Sequence, residues 1–142
     1  MTIGKDALRD SIDVSGPVGS VYVGGSFRGS SELSASGSNG SIASFTTGKS
    51  LYGNIYGQAS IGTVRVGTVY GSQGGRTAGN MTALITNGDV VTGAVFTVEK
   101  NLSKLVIGGS LEDGALVRVG TLGTKTIIGP EIGIVDTKPW AT

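Results

Sequence analysis

One pattern recurs along this chain at intervals of 19 to 24 residues. Its clearest copy is Leu102 to Leu111, Leu-Ser-Lys-Leu-Val-Ile-Gly-Gly-Ser-Leu, with apolar residues at relative positions 0, +3, +5 and +9 and glycine at +6 and +7. The step from +3 to +5 is strand alternation. A glycine pair straight after a short strand reads as a bend, because glycine takes positive φ at little steric cost. The template starts at Val18, Ile42, Ile61, Met81, Leu102 and Leu122. Position +3 is then Val21, Phe45, Val64, Leu84, Leu105 and Lys125, and +5 is Val23, Thr47, Val66, Thr86, Ile107 and Ile127. Position +9 is Phe27, Leu51, Tyr70, Val90, Leu111 and Glu131. Position +6 is Gly24, Gly48, Gly67, Asn87 and Gly108 in the first five copies. Asn87 is a telling replacement, since asparagine is among the few residues that tolerate the left-handed region. The sixth copy fits worst, and a one-residue insertion there would bring Gly129 and Ile132 into step.

A period near 20 with one strand–corner–strand unit predicts an all-β, single-domain parallel β-helix, a β-solenoid of about six coils. One coil cannot bury its own apolar side chains. Stacked coils can, because position 0 of each lies over position 0 of the last, about 4.8 Å away. The general rule for parallel crossovers favours a right-handed coil. Residues 1–15 read as an N-terminal cap or joining segment, 16–134 as the solenoid and 135–142 as a C-terminal tail or cap.

The composition suits this. Of 142 residues, 26 are glycine, 38% are apolar and 15% are charged, below the usual quarter. A net charge of +1 without a Lys/Arg cluster argues against a nucleic-acid or anionic-membrane surface. No apolar run approaches the length of a membrane span, and the polar, charged Met1 to Ser11 does not read as a signal peptide. Cysteine and histidine are both missing. That removes disulfides, thiolate chemistry, the commonest zinc ligand and the usual base of a serine triad.

Along the chain, Leu8 and Ile12 stand four apart, as on one helix face. The rival reading makes Ile12 and Val14 part of an incomplete strand that covers the first coil's open edge or joins to a neighbour. Ser30 to Asn39 reads as a surface excursion. Ala94 to Val98 and Ala115 to Val119 read as second strands of their coils. Trp140 is expected to plug the last coil's apolar edge or to contact a partner.

Motif chemistry is sparse. Gly48-Lys49-Ser50 is no phosphate loop, because the required earlier glycine is replaced by Ala43. The Gly-Gly-x-Gly-x-Asp calcium repeat does not occur. Asp89, Glu112, Asp113 and Glu131 fall near one corner in successive coils, a column that Ca²⁺ would bridge and that a plain solvated corner explains equally well. Otherwise no cofactor is expected.

The units Val18-Gly19-Ser20-Val21-Tyr22-Val23-Gly24-Gly25-Ser26 and Leu102 to Leu111 resemble the glycine-rich β-solenoid repeats of large bacterial surface and secreted proteins. The resemblance covers residues 16 to 132. It implies an extracellular or cell-surface, non-catalytic structural role, with self-association through solenoid ends or membership of a longer solenoid, so that the partners are further copies or neighbouring repeats. A polysaccharide-binding β-helix and a virion decoration component are the alternatives. Tyr22, Tyr52 and Tyr56 share no offset and Tyr70 falls at the inward +9 position, so no aromatic row for sugar stacking is expected.

Overall fold

The computed structural model describes residues 2–6, 11–28, 31–70 and 75–137. These contain strands and turns and no helix. The strands form one twelve-stranded, wholly parallel sheet wound into a β-solenoid of about six turns. Each turn has three faces.

The first face stacks β1 (Thr2–Ile3), β3 (Val18–Val23), β5 (Ser41–Thr47), β7 (Ser60–Val66) and β9 (Asn80–Thr86). The second halves of β10 (Val95–Ile107) and β11 (Leu116–Ile127) complete it. The second face is a column of single bridges, Phe27–Leu51–Val69–Val90–Leu111–Glu131. The third face stacks β2 (Ser11–Ser15), β4 (Glu32–Ser36), β6 (Asn54–Gly57) and β8 (Gly75–Thr77), then the first halves of β10 and β11, then β12 (Ile134–Thr137). In β10 and β11 the third face of one coil runs straight into the first face of the next, with a register shift between Val98 and Asn101 marking the corner.

The core is a set of columns. Ile42 lies over Val18, Ile61 over Ile42 and Met81 over Ile61. Leu33, Ile55, Gly75, Phe96 and Val117 form another column. Neighbours in a column compensate in volume: a Cβ on Gly75 would stand 2.9 Å from the Phe96 ring and 3.0 Å from Ile55. Phe27 meets Phe45 edge-to-face at 5.2 Å, a favoured aromatic geometry. Thr47 and Thr86 take inward positions where valine stands in other coils. Their hydroxyls are satisfied by the carbonyls of Lys49 and Gly88, each at 3.0 Å, which removes the penalty of a lone buried hydroxyl.

Positions 0, +3 and +5 point inward as the pattern predicts, from the half-buried Val18 to the fully buried Ile107. Five details differ. First, the corner residues Gly24, Gly48, Gly67, Asn87 and Gly108 do not take positive φ; Gly16, Gly37, Gly93 and Gly114 do. Gly93 and Gly114 are third residues of four-residue turns closed by Ala94 N–H to Val91 O and Ala115 N–H to Glu112 O, both 3.0 Å, where a positive φ is required. Glycine stands at the corners for a different reason. A Cβ on Gly24 or Gly108 would lie 2.6 Å from the carbonyl oxygen of Gly4 or Asn87 in the coil beneath, and one on Gly48 would strike the carbonyl of Gly24.

Second, coil three lacks one corner residue. Asn87 N–H bonds Val66 O while Gly88 N–H bonds Gly67 O, so Gly67 belongs with the second glycine of each pair. Asn87 therefore stands over a deletion, which leaves room for its Cβ. The same deletion brings Val69, not Tyr70, into the inward column. Third, the sixth coil needs no insertion: Lys125 aligns with Leu105, Ile127 with Ile107 and Glu131 with Leu111. Fourth, Ile12 and Val14 lie in β2, paired with Leu33 and Ala35, so the strand reading replaces the helix; Leu8 lies outside the described residues. Fifth, Ser30 to Asn39 is not a plain excursion. Its Glu32–Ser36 stretch is β4, with Leu33 and Ala35 buried, and Gly37 to Asn39 form an exposed turn; Ser30 lies outside the described residues.

Candidate functional site

The corner after the first face carries a hydrogen-bond ladder built from the glycine pairs. Asp6 Oδ1 accepts the Ser26 N–H at 2.7 Å, Ser26 Oγ accepts the Ser50 N–H at 3.1 Å, and Asp89 Oδ1 accepts the Ser110 N–H at 2.7 Å. The second glycine of each pair makes this reach possible: a Cβ on Gly25 would strike the Asp6 carboxylate, and one on Gly109 the Asp89 carboxylate. The Gly-Gly-Ser triplets thus have three separate tasks. The first glycine admits a carbonyl, the second admits an acid, and the serine offers its amide. The bond from Ser26, reinforced by Arg28 Nε 3.0 Å from Asp6 Oδ2, holds the Asp6 carboxyl below the usual aspartate range, although partial desolvation opposes them.

Of the four acidic residues singled out in the sequence, Asp89, Glu112 and Glu131 meet different partners through their side chains. Asp89 belongs to the ladder. Glu112 Oε1 accepts the Thr92 N–H at a long 3.5 Å, and the Asp113 carbonyl accepts the Thr92 hydroxyl. Glu131 pairs with Lys125 at 2.7 Å. Among the described residues no group of three or more Asp, Glu, His or Cys is placed to hold a metal ion.

Two outward columns carry aromatic and cationic side chains. Tyr52 and Tyr70 stack at 4.5 Å with planes 8° apart, and Arg28 lies 5.6 Å from the Tyr52 ring centre. Tyr52 is thus engaged by side chains of the chain itself while remaining 36% exposed. On the third face, Arg76 lies 5.7 Å from the Tyr56 ring centre. These two and Glu32, Asn54 and Thr97 border a shallow groove of about 480 Å³ with Ile55 and Val95 in its lining. Tyr22 is 46% exposed on the first face. Sequence spacing missed the Tyr52–Tyr70 stack because the deletion in coil three shifts Tyr70 by one position.

The two ends of the solenoid are unlike its middle. Among the described residues, β1 pairs only with β3, β2 only with β4 and β12 only with β11. Ile3 and Ile12 at one end, and Leu122, Ile127 and Val135 at the other, pack on the core from one side and remain partly exposed. Val14 is half-buried in β2. The terminal coil exposes Ile128, Ile132 and Ile134 by 71%, 64% and 59%. Lys125 and Glu131 occupy two of its inward columns and close a half-exposed ion pair across the end of the core. Trp140 lies outside the described residues. No helix here is long and apolar enough to cross a membrane.

Comparison with family models, with characterised proteins and with solved structures finds no match.

Proposed function

We propose that this chain is a non-catalytic structural solenoid that works by adding coils at its ends, either as a self-associating unit or within a longer solenoid assembly. The observation that carries this reading is the state of the end coils. They present parallel strands paired on one side only, with Ile3, Ile12, Val14, Ile127 and Val135 half-buried, so the core and the backbone ladder both continue to the end without a closing layer among the described residues. Natural sheets normally blunt such edges, and an added parallel strand satisfies them. The chemistry favours a scaffold too: the sequence has no histidine or cysteine, and the acidic side chains of the repeat corner serve separate structural bonds. The glycine-rich surface-protein resemblance suggests an extracellular or cell-surface setting. Light scattering of the full chain across concentration, with electron microscopy of the same samples, tests the reading. Rods that lengthen with concentration support it; compact monomers at every concentration overturn the self-associating form.

A second reading rests on the groove beside Tyr56 and Arg76, whose mixed donors, acceptors and apolar lining suit a segment of polysaccharide. Affinity electrophoresis against neutral and acidic polysaccharides, with Tyr56→Ala as the comparison, separates it from the first. Retardation lost in the variant favours binding, and no retardation of the parent rejects it.

A further inference from the structure

Among the described residues nothing calls for glycine at position 4. Gly4 occupies the same corner column as Gly24, Gly48 and Gly108, at each of which a Cβ would meet a carbonyl of the coil beneath. Beneath Gly4, no described atom comes within 4 Å of where its Cβ would be, and its φ is not positive. Two side chains stand in this column: Asn87 lies over the deletion in coil three, and Ile128, in the terminal coil, departs from the rule although Gly108 lies beneath it. The sequence at residue 4 is thus that of a coil with another coil under it.

We infer that the face beneath Gly4 docks the C-terminal coil of a second copy of this chain, in the register of the internal repeat; the inference rests on the end-association reading above. The columns identify the occupant. Ile3 belongs to the column that ends in Ile127, and Ile12 to the column that ends in Val135. Stacking copies in register therefore places Ile3 on Ile127 and Ile12 on Val135, joining the half-exposed apolar layers into one core and pairing parallel strands with parallel strands. Gly4 then meets the backbone of Ile128, as Gly24 meets that of Gly4. The contact is heterologous, so it propagates head to tail and does not close. One column opposes it: Asp13 of one copy falls on Asp136 of the next, at a spacing of about 4.8 Å. Like charges there weaken the joint, and the half-exposed Lys125–Glu131 pair adds a desolvation cost when covered.

Two full-length variants test the joint by sedimentation velocity across concentration, with thermal melting of the dilute protein as the folding control. Gly4→Val adds a side chain where no described residue stands in the monomer and where a carbonyl stands at the joint. It is expected to melt like the parent and to lose concentration-dependent growth. Asp13→Lys changes an exposed residue and turns repulsion from Asp136 into attraction, so association should tighten on the order of tenfold at low salt. If the parent grows with concentration but Gly4→Val grows equally, or Asp13→Lys leaves growth unchanged, this joint is wrong while end association stands. If Gly4→Val melts well below the parent, the space beneath it is not open and the inference fails. If the parent stays monomeric at every concentration, self-association itself is wrong.

Discussion

At the scale of single residues, the repeat is held by what its glycines leave out. Gly108 lacks a Cβ because the Asn87 carbonyl occupies that space, and Gly109 lacks one because the Asp89 carboxylate passes through it. Gly108→Val should therefore destabilise the protein by about 1–3 kcal/mol, the usual penalty for overpacking, as measured by denaturant unfolding. An unchanged midpoint would remove the carbonyl contact as the reason for glycine. Asp6 offers a second test. Its carboxyl is held below the ordinary aspartate range, first by the Ser26 amide and also by Arg28, against partial desolvation. A depressed pKa in the folded state means that the stabilisation is present above the unfolded-state value and is lost as pH falls through the folded one. Asp6→Asn should thus melt below the parent at neutral pH, with the gap narrowing in acid beneath the ordinary aspartate range. A gap independent of pH would show that Asp6 acts by shape alone.

At the scale of elements, each strand is specified by its column more than by its own propensity. β8 is Gly-Arg-Thr and has little claim to be a strand alone. It is one because Gly75 fits between Ile55 and Phe96 and because β6 and β10 supply its backbone partners. Filling that gap with Gly75→Leu should cost about 1–3 kcal/mol, read by the same unfolding assay; a stabilised variant would mean that the column holds spare volume. The inward register is tested more harshly by Ile107→Asp. It buries a carboxylate between Thr86 and Ile127 at a cost of several kcal/mol, so far-ultraviolet circular dichroism should report loss of the fold at room temperature. A folded variant with parental melting would refute the register.

For the whole molecule, the main strand contacts among the described residues join neighbouring coils or consecutive strands, so stability should vary along the axis as in other repeat arrays. Amides of β5, β7 and β9, paired on both sides, are expected to exchange more slowly than those of β1, β2 and β12, which have one partner each. Uniform protection along the axis would point to end coils that are covered in solution. Added Ca²⁺ is expected to leave the melting temperature unchanged, since Asp89, Glu112 and Glu131 are bound to different partners. A rise on Ca²⁺ that chelator reverses would restore the bridged acidic column.

The coil number, the period and the inward positions 0, +3 and +5 from Ile42 to Ile107 were legible in the sequence, because stacking places chemically similar residues at equal intervals and any side chain out of step would be buried wrongly. The strand at Ile12 and Val14 was legible only as one of two choices, since a five-residue alternation does not exclude a helix turn. The tertiary structure alone decided the rest. It showed that corner glycines answer to a carbonyl in the next coil and not to their own φ, because the clash lies between residues about twenty apart. It placed the deletion in coil three, which glycine-rich spacing hides and which moves Tyr70 onto Tyr52. It separated the acidic corner into a ladder and an ion pair, because sequence offsets locate a residue on a coil but do not say which partner its side chain reaches. Gly4 belongs to both: the sequence places a glycine there, and only the stacked coils show that no described residue fills the space beneath it.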